Sequence, residues 1–525
     1  MNTALLQLRD VGVTLGGSIR LQGIDLELAA GEVLGLVGES GSGKSLTALA
    51  VAGLLPEGAQ VQGQVLLDGE NLLALPEAAM DAHRGAAVGL VFQEPMNALN
   101  PLMTLAEQVA EALRLHRPLS RHDAAAHAEA ALARVGLEGL GGRHPHELSG
   151  GQRQRGVVAI AMALRPRLLI ADEPTTALDV RNQAQVLALL RELVREQGSG
   201  LLLISHDLPL VAGFADRIAV LRQGCLVEQG PARALLRAPR QPETAALIAA
   251  STLPQRPAVA PAPAAAPLLV AEGLVREVRR RAGLLSRPVV KRLLDAVSLH
   301  IAPGERVGLV GESGCGKSTL LRALLALEPL QGGVVTLGGQ RFTGAERALR
   351  RQAQIVFQDP AGSLDPRWRA WELVAEPLAL LDAAPDRAAQ RALACEWLAR
   401  VGLGAAVADR YAHQFSGGQR QRLAIARALI LEPALLVLDE AVSALDVSVR
   451  GQILELIDGL CRERGTALLF VTHDLGVVRA VTDRLYVMQA GRIVESGPTV
   501  DVFAAPREAY TRELLGATPD LGSAV

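Results

Sequence analysis

The chain is 525 residues long, with 53 Lys plus Arg against 55 Asp plus Glu and a formal charge of −2. That length accommodates about three or four domains, and a pI near 6.6 supplies no global drive toward nucleic acid. Mean hydropathy is +0.24, yet the longest charge-free run, 257–271, is Pro-interrupted and Ala-rich, unlike a membrane span of roughly 20 apolar residues.

The opening MNTALLQLRD has no basic stretch followed by an apolar one, so no secretory leader is expected and the protein should stay in the cytosol. Cys225, Cys315, Cys395 and Cys461 lack C-x-x-C spacing, which favours reduced thiols over a zinc or iron–sulfur site. Only Lys44, Lys291 and Lys317 are lysines. Arg serves wherever any cation suffices, and a compact ammonium is kept for special places.

Two of those lysines close the same string. Residues 33–37 (VLGLV) read as a buried strand, followed by Gly38, Glu39, Ser40, Gly41, Ser42, Gly43, Lys44 and Ser45 and then a helical run. This fits G-x-x-x-x-G-K-[ST], in which backbone N–H groups wrap phosphates, Lys reaches the β- and γ-phosphates, and the hydroxyl ligates Mg²⁺. Next come Gln93 in VFQEPMNALNP, a mostly helical stretch over about 94–148, and LSGGQ with Ser149, Gly151 and Gln152 opening another helix. The apolar run RLLIADEP ends in Asp172 and Glu173. The Asp is suited to hold Mg²⁺ through water and the Glu to act as general base. Asp179 in TTALD and His206 in LISHD complete the half.

Residues 251–267 (STLPQRPAVAPAPAAAP) suit an extended linker. The second half repeats the first: Gly311, Glu312, Ser313, Gly314, Cys315, Gly316, Lys317 and Ser318, with Thr319 following, then Gln358, a helical stretch over 359–415, Ser416, Gly418 and Gln419 in FSGGQ, Asp439 and Glu440 in ALLVLDEA, Asp446, and His473 in FVTHD. Ser149, Asp172 and His206 each precede their counterparts by 267 positions, so this is a duplicated domain rather than a solenoid. The expected organisation is 1–250, a linker at 251–267, and 268–525, each half an α/β P-loop domain with an inserted helical subdomain. Cys315 replaces Ser42, and its place among N–H donors at a helix start predicts a stabilised thiolate with raised reactivity. The basic run 276–292 reads as a solvated hairpin insertion, with anionic lipid as the other reading.

In this order and in duplicate, the strings resemble tandem ATP-binding cassette (ABC) ATPases over nearly the whole chain outside the linker. The resemblance implies an intramolecular head-to-tail ATPase pair in which each ATP meets the P-loop of one half and Ser149, Gly151 and Gln152, or Ser416, Gly418 and Gln419, of the other. It implies catalytic roles for Glu173, Glu440, His206, His473, Gln93 and Gln358. Mg²⁺ would fall to Ser45, Gln93 and Asp172, and to Ser318, Gln358 and Asp439. Stretches 11–17 and 274–280 lack the aromatic ring such domains commonly place under adenine, leaving Leu15 and Val278 to pack on the base.

The segments after Gln93 and Gln358, and the tails 237–250 and 504–517, resemble the peptide/nickel importer group, with Glu243 where its tail usually has Tyr. This implies two separate integral-membrane permeases, a separate extracytoplasmic binding protein, no direct contact with transported substrate, no nucleic acid, and a peripheral place on the cytoplasmic membrane face. A soluble tandem ABC protein in translation or repair is the alternative, disfavoured by the Pro/Ala linker, the pI and the missing C-x-x-C. A sugar importer ATPase is disfavoured by the string after Gln93.

Overall fold

The computed structural model describes residues 4–176, 178–253, 256, 266–280, 289–342, 344, 346–442 and 445–518. They form two compact units, one ending at Thr252 and one spanning Leu253–Thr518.

In the first unit a six-stranded sheet runs Cys225–Pro231, Arg217–Arg222, Val33–Val37, Gly200–Ser205, Leu168–Asp172 and Val88–Val91, and all but the first strand are parallel. A four-stranded antiparallel sheet, ordered Ser18–Ala29, Ala4–Leu15, Gln60–Leu67 and Glu70–Asn71, accompanies it. The sequence of Val33–Val37 explains the layering. Successive strand side chains face opposite ways, so Leu34 and Leu36 join the core shared with the antiparallel sheet, while Val33 and Val37 join the core shared with the helices. A strand buried on both faces must be apolar throughout, and VLGLV is.

Register brings chemistry to one edge. Val37 pairs with Ser205 and Asp172 with Ile204, so the P-loop, Glu173 and His206 all leave the carboxyl ends of neighbouring parallel strands, where open α/β sheets place ligands. The second unit repeats this order with Arg492–Pro498, Arg484–Gln489, Arg306–Val310, Ala467–Val471, Leu435–Asp439 and Ala353–Val356.

The stretch expected to be helical between Gln93 and the LSGGQ signature at 148–152 contains Leu105–His116 and Arg121–Arg134. A Thr104/Glu107 capping box starts the former, and Ala124, Ala128 and Leu132, spaced four apart, form a buried stripe on the latter. A Cβ on Gly156 would lie 2.7 Å from Leu105 Cδ1, so that glycine lets the subdomain pack closely on the signature helix Gly150–Met162.

Two segments read from composition take firmer form. The basic run lies partly on Leu269–Arg280 and Val289–Ile301, which pair as antiparallel strands with Arg280 opposite Val289. Arg292 bonds Glu277 and Asp295, and Arg276 faces Glu328 at 3.5 Å, so much of its charge is spent within the unit; residues 281–288 lie outside the described residues. Most of the linker also lies outside them, but Leu253 packs on the second unit's core and Arg256 is anchored there. Its guanidinium meets Asp483 at 2.8 Å and Asp458 at 3.2 Å, and Asp458 also takes Arg306 at 2.6 Å. Prolines and alanines gave no hint of this, because one charged residue makes the anchor.

Burial pushes the Asp458 carboxyl up, but Arg306, Arg462 and Arg256 outweigh it and hold the group below its ordinary value. A carboxylate depressed on folding stabilises at neutral pH, and the effect is lost as pH falls through its folded value. Asp458→Asn should therefore cost the second unit about 2 kcal/mol at pH 7, since it leaves Arg256 and Arg306 facing each other partly desolvated. Denaturant titrations at pH 7 and at about pH 2.5, below the ordinary carboxylate value, should show the deficit shrinking at the lower pH.

Candidate functional site

Each unit gathers its P-loop, acid pair, glutamine and histidine at the carboxyl edge of its parallel strands, while Ser149, Gly151 and Gln152, and Ser416, Gly418 and Gln419, stand apart at helix starts. The first P-loop turns into helix Lys44–Ala52 through Gly43 at φ 106°, and the second into Lys317–Leu324 through Gly316 at φ 113°. Both values lie in the left-handed region that glycine adopts without strain. A Cβ at Gly43 would also strike Leu21 Cδ2 at 2.4 Å. Each lysine is buried, and its ammonium donates to carbonyls of its own loop: Lys44 Nζ to Gly38 O and Glu39 O, both at 2.9 Å, and Lys317 Nζ to Gly311 O at 2.8 Å and Glu312 O at 2.9 Å.

The acid pairs follow. Burial raises the Asp172 carboxyl above its ordinary value, with the Ser45 hydroxyl bonded to it and opposing the shift. Its Oδ1 is buried without a hydrogen-bond partner. An orphaned carboxylate oxygen beside a hydroxyl is an oxygen donor set of the kind Mg²⁺ takes, so the residues fit that ion. Asp439 is likewise raised by burial, then by the charge of Glu440.

Glu173 sits at φ 47° and Glu440 at φ 48°. A non-glycine residue there costs on the order of 1 kcal/mol. The strain is held by the neighbouring strand, since Glu173 N–H donates to Ile204 O at 2.9 Å and Glu440 N–H to Val471 O at 2.8 Å. The result turns each carboxylate between a glutamine and a histidine. Gln93 Nε2 donates to Glu173 Oε2 at 2.8 Å, and His206 Nδ1 lies 2.9 Å from Glu173 Oε1. Gln358 Nε2 donates to Glu440 Oε2 at 2.9 Å, with His473 Nδ1 at 3.4 Å. Burial alone would raise both glutamates; the histidines and then the P-loop lysines outweigh it, and Thr176 adds to the effect on Glu173, so both lie below the ordinary value and are ionised at neutral pH.

Sequence reasoning missed Thr176, whose hydroxyl donates to Glu173 Oε2 at 2.9 Å. Its place three residues after Glu173 was the available signal. Ser149 and Ser416 stand at the N-caps of Gly150–Met162 and Gly417–Leu429, as expected of helix starts. Gln152 and Gln419 turn back to accept from the Ser149 and Ser416 N–H groups, closing capping boxes, so their carboxamides serve the helix start. Gly151 is needed for close packing, because a Cβ would meet Asn182 Oδ1 at 2.6 Å. Asp179 caps helix Val180–Gln197 and binds the Asn182 carboxamide through both oxygens at 3.0 Å, whereas Asp446 makes no side-chain cap. Leu15 is half-buried and Val278 is exposed, both on the first strand of their units.

A family model described as ABC transporter matches residues 21–176 and 294–443, and one described as Oligopeptide/dipeptide transporter, C-terminal region, matches 494–524. The glutathione import ATP-binding protein GsiA of Salmonella choleraesuis (strain SC-B67) is 44% identical over 539 residues, covering 95% of this chain and 86% of that protein. Its namesake in Escherichia coli (strain K12) is 44% identical over 541 residues with the same coverage. Among solved structures, a chain from the crystal structure of the complex of archaeal ribosomal stalk protein aP1 and archaeal ribosome recycling factor aABCE1 matches with a TM-score of 0.59. It is 20% identical, and the match covers 94% of this chain and 92% of that one, a likeness of fold alone.

Cys315 corrects an expectation. Its side chain is buried, and that burial pushes the thiol above its ordinary value against the opposing pull of Lys317 and nearby N–H groups. Desolvation exceeds the helix-start effect, so the thiolate is scarce rather than favoured. Maleimide at pH 7.5 should modify Cys315 at least about tenfold more slowly than exposed Cys225, as read by peptide mass spectrometry over a time course. Comparable rates would restore the reactive-thiol reading.

Proposed function

The chain belongs to the ABC transporter family and is the ATP-hydrolysing subunit of a peptide-type importer, and from that premise we propose that its transporter takes up short peptides of the dipeptide, oligopeptide or glutathione class. The observation that carries the substrate class is the tail, where 494–524 match the peptide-transporter C-terminal region. The name of the 44% identical relatives supports glutathione within that class. Two membrane permeases and an extracytoplasmic binding protein complete the assembly, and this chain works at the cytoplasmic membrane face without touching the cargo. No helix among the described residues is long and apolar enough to cross a membrane.

The proposed chemistry uses the residues as they stand. The P-loop N–H groups and Lys44 or Lys317 bind the phosphates, with the Gly-rich starts at Ser149 and Ser416 offering further N–H groups. Ser45, Asp172 and Gln93 would hold Mg²⁺ in one half, and Ser318, Asp439 and Gln358 in the other; when bound, the ion neutralises charge on the β- and γ-oxygens. Glu173 and Glu440, ionised and fixed by glutamine and histidine, accept the proton of the attacking water. His206 and His473 orient those carboxylates and stand toward the γ-phosphate. Because Gln93 and Gln358 precede the helical subdomains and bond the glutamates, they pass the state of the site toward the permeases.

Glu173→Gln combined with Glu440→Gln keeps the side-chain shape but removes the base. Turnover should fall to below a tenth of wild type with MgATP binding retained. Cells carrying only this variant should lose uptake of labelled glutathione, dipeptide or oligopeptide, whichever the wild-type chain restores to a deletion strain. If the deletion strain accumulates all three peptides at the wild-type rate, the substrate class is wrong; if the double variant hydrolyses ATP normally, the glutamates are not the bases.

A further inference from the structure

The C-terminal tail reaches the second P-loop. Tyr510, on helix Ala509–Gly516, is 7% exposed, and its ring packs in a small apolar cluster with Val310, the last residue of the strand feeding the loop. Its hydroxyl accepts from the Glu312 N–H at 2.9 Å. The same residue's carbonyl accepts from Lys317 Nζ. One peptide unit on each side of Glu312 therefore joins the tail to the buried ammonium. The helix itself is fixed: the Glu495 carboxylate accepts from the Arg507 and Glu508 N–H groups at 2.8 and 3.2 Å.

The first unit anchors its tail the same way, through Glu228 and the N–H groups of Arg240 and Gln241. At the position of Tyr510, however, it carries Glu243, which lies 3.4 Å from Arg222. An anion drawn to that guanidinium replaces the phenol that steadies the loop.

We propose that Tyr510 is a positioning residue that pre-shapes the second P-loop for nucleotide, so that the nucleotide affinity of the second half, and not of the first, depends on the tail. The inference rests on reading residues 311–318 as a phosphate cradle. Pre-organised N–H groups spare a flexible loop its ordering cost on binding. Removing the hydroxyl takes this acceptor from the Glu312 N–H and loosens the peptide that receives Lys317.

Tyr510→Phe keeps the ring in its cluster and removes the hydroxyl that accepts from the Glu312 N–H. The full chain is titrated with a fluorescent N-methylanthraniloyl-ATP and Mg²⁺ in a Lys44→Ala background, where the second site remains, and in a Lys317→Ala background, where the first remains. Tyr510→Phe should raise Kd about 2- to 10-fold in the former and leave it unchanged in the latter, with any fall in the nucleotide-free melting temperature the same in both backgrounds and too small to unfold the chain at the temperature of the titration. An unchanged Kd at the second site, equal weakening of both sites, or a fall in melting temperature that accounts for the loss each overturns the proposal while leaving the cradle intact. Binding of two nucleotides by the Lys317→Ala chain overturns the cradle reading, and the proposal with it.

Discussion

An ammonium cannot be buried without oxygen atoms around it, and in both halves of this chain the loop that carries the lysine supplies them itself. That constraint sets the rest. The carbonyls of residues 38 and 39, and of 311 and 312, turn inward only if the chain then reverses into the helix through a left-handed glycine. The strand before the loop must be rigid, which its burial on both faces ensures. The acids two strands away, Asp172 and Asp439, are desolvated by burial and feel the lysine of their own half. An incoming phosphate gives the ammonium a charged acceptor in place of two dipoles, and the site gains from the exchange.

The glutamates that follow those acids show how local strain is used. An αL glutamate is unfavourable in isolation, but a strand-edge N–H bond makes it affordable and points the carboxylate at glutamine and histidine rather than along the sheet. The two halves share this device and differ around it. Arg322 adds positive charge near Asp439, Asn182 of the first half has Val449 as its counterpart, and Tyr510 faces the second P-loop where the first half has Glu243. Duplication has kept the lysine, acid pair, glutamine and histidine and varied the residues around them.

What the sequence made legible is what the backbone motif dictates. The phosphate loops, the acid pairs at strand ends, Gln93 with Gln358, His206 with His473 and the capped signature helices are set by short-range patterns, and the structure brings the P-loop, acid, glutamine and histidine of each half together. Features set by distant neighbours were not legible. Cys315 has N–H donors on one side, visible in the string, but its burial depends on the strands packed around it, and burial decides its chemistry. Arg256 lies in a run whose composition suggests only a spacer, and its partners Asp458 and Asp483 lie about 200 residues further on.

The claim beneath this account is that nucleotide and Mg²⁺ replace interactions the chain now makes with itself or leaves unmade. Its most direct test is an experimental structure of a hydrolysis-blocked full chain with MgATP. The account predicts that Lys44 and Lys317 leave their loop carbonyls for phosphate oxygens, and that Asp172 Oδ1 takes the metal or one of its waters. Ammoniums still seated on the carbonyls of Gly38, Glu39, Gly311 and Glu312, with nucleotide bound elsewhere, would contradict it.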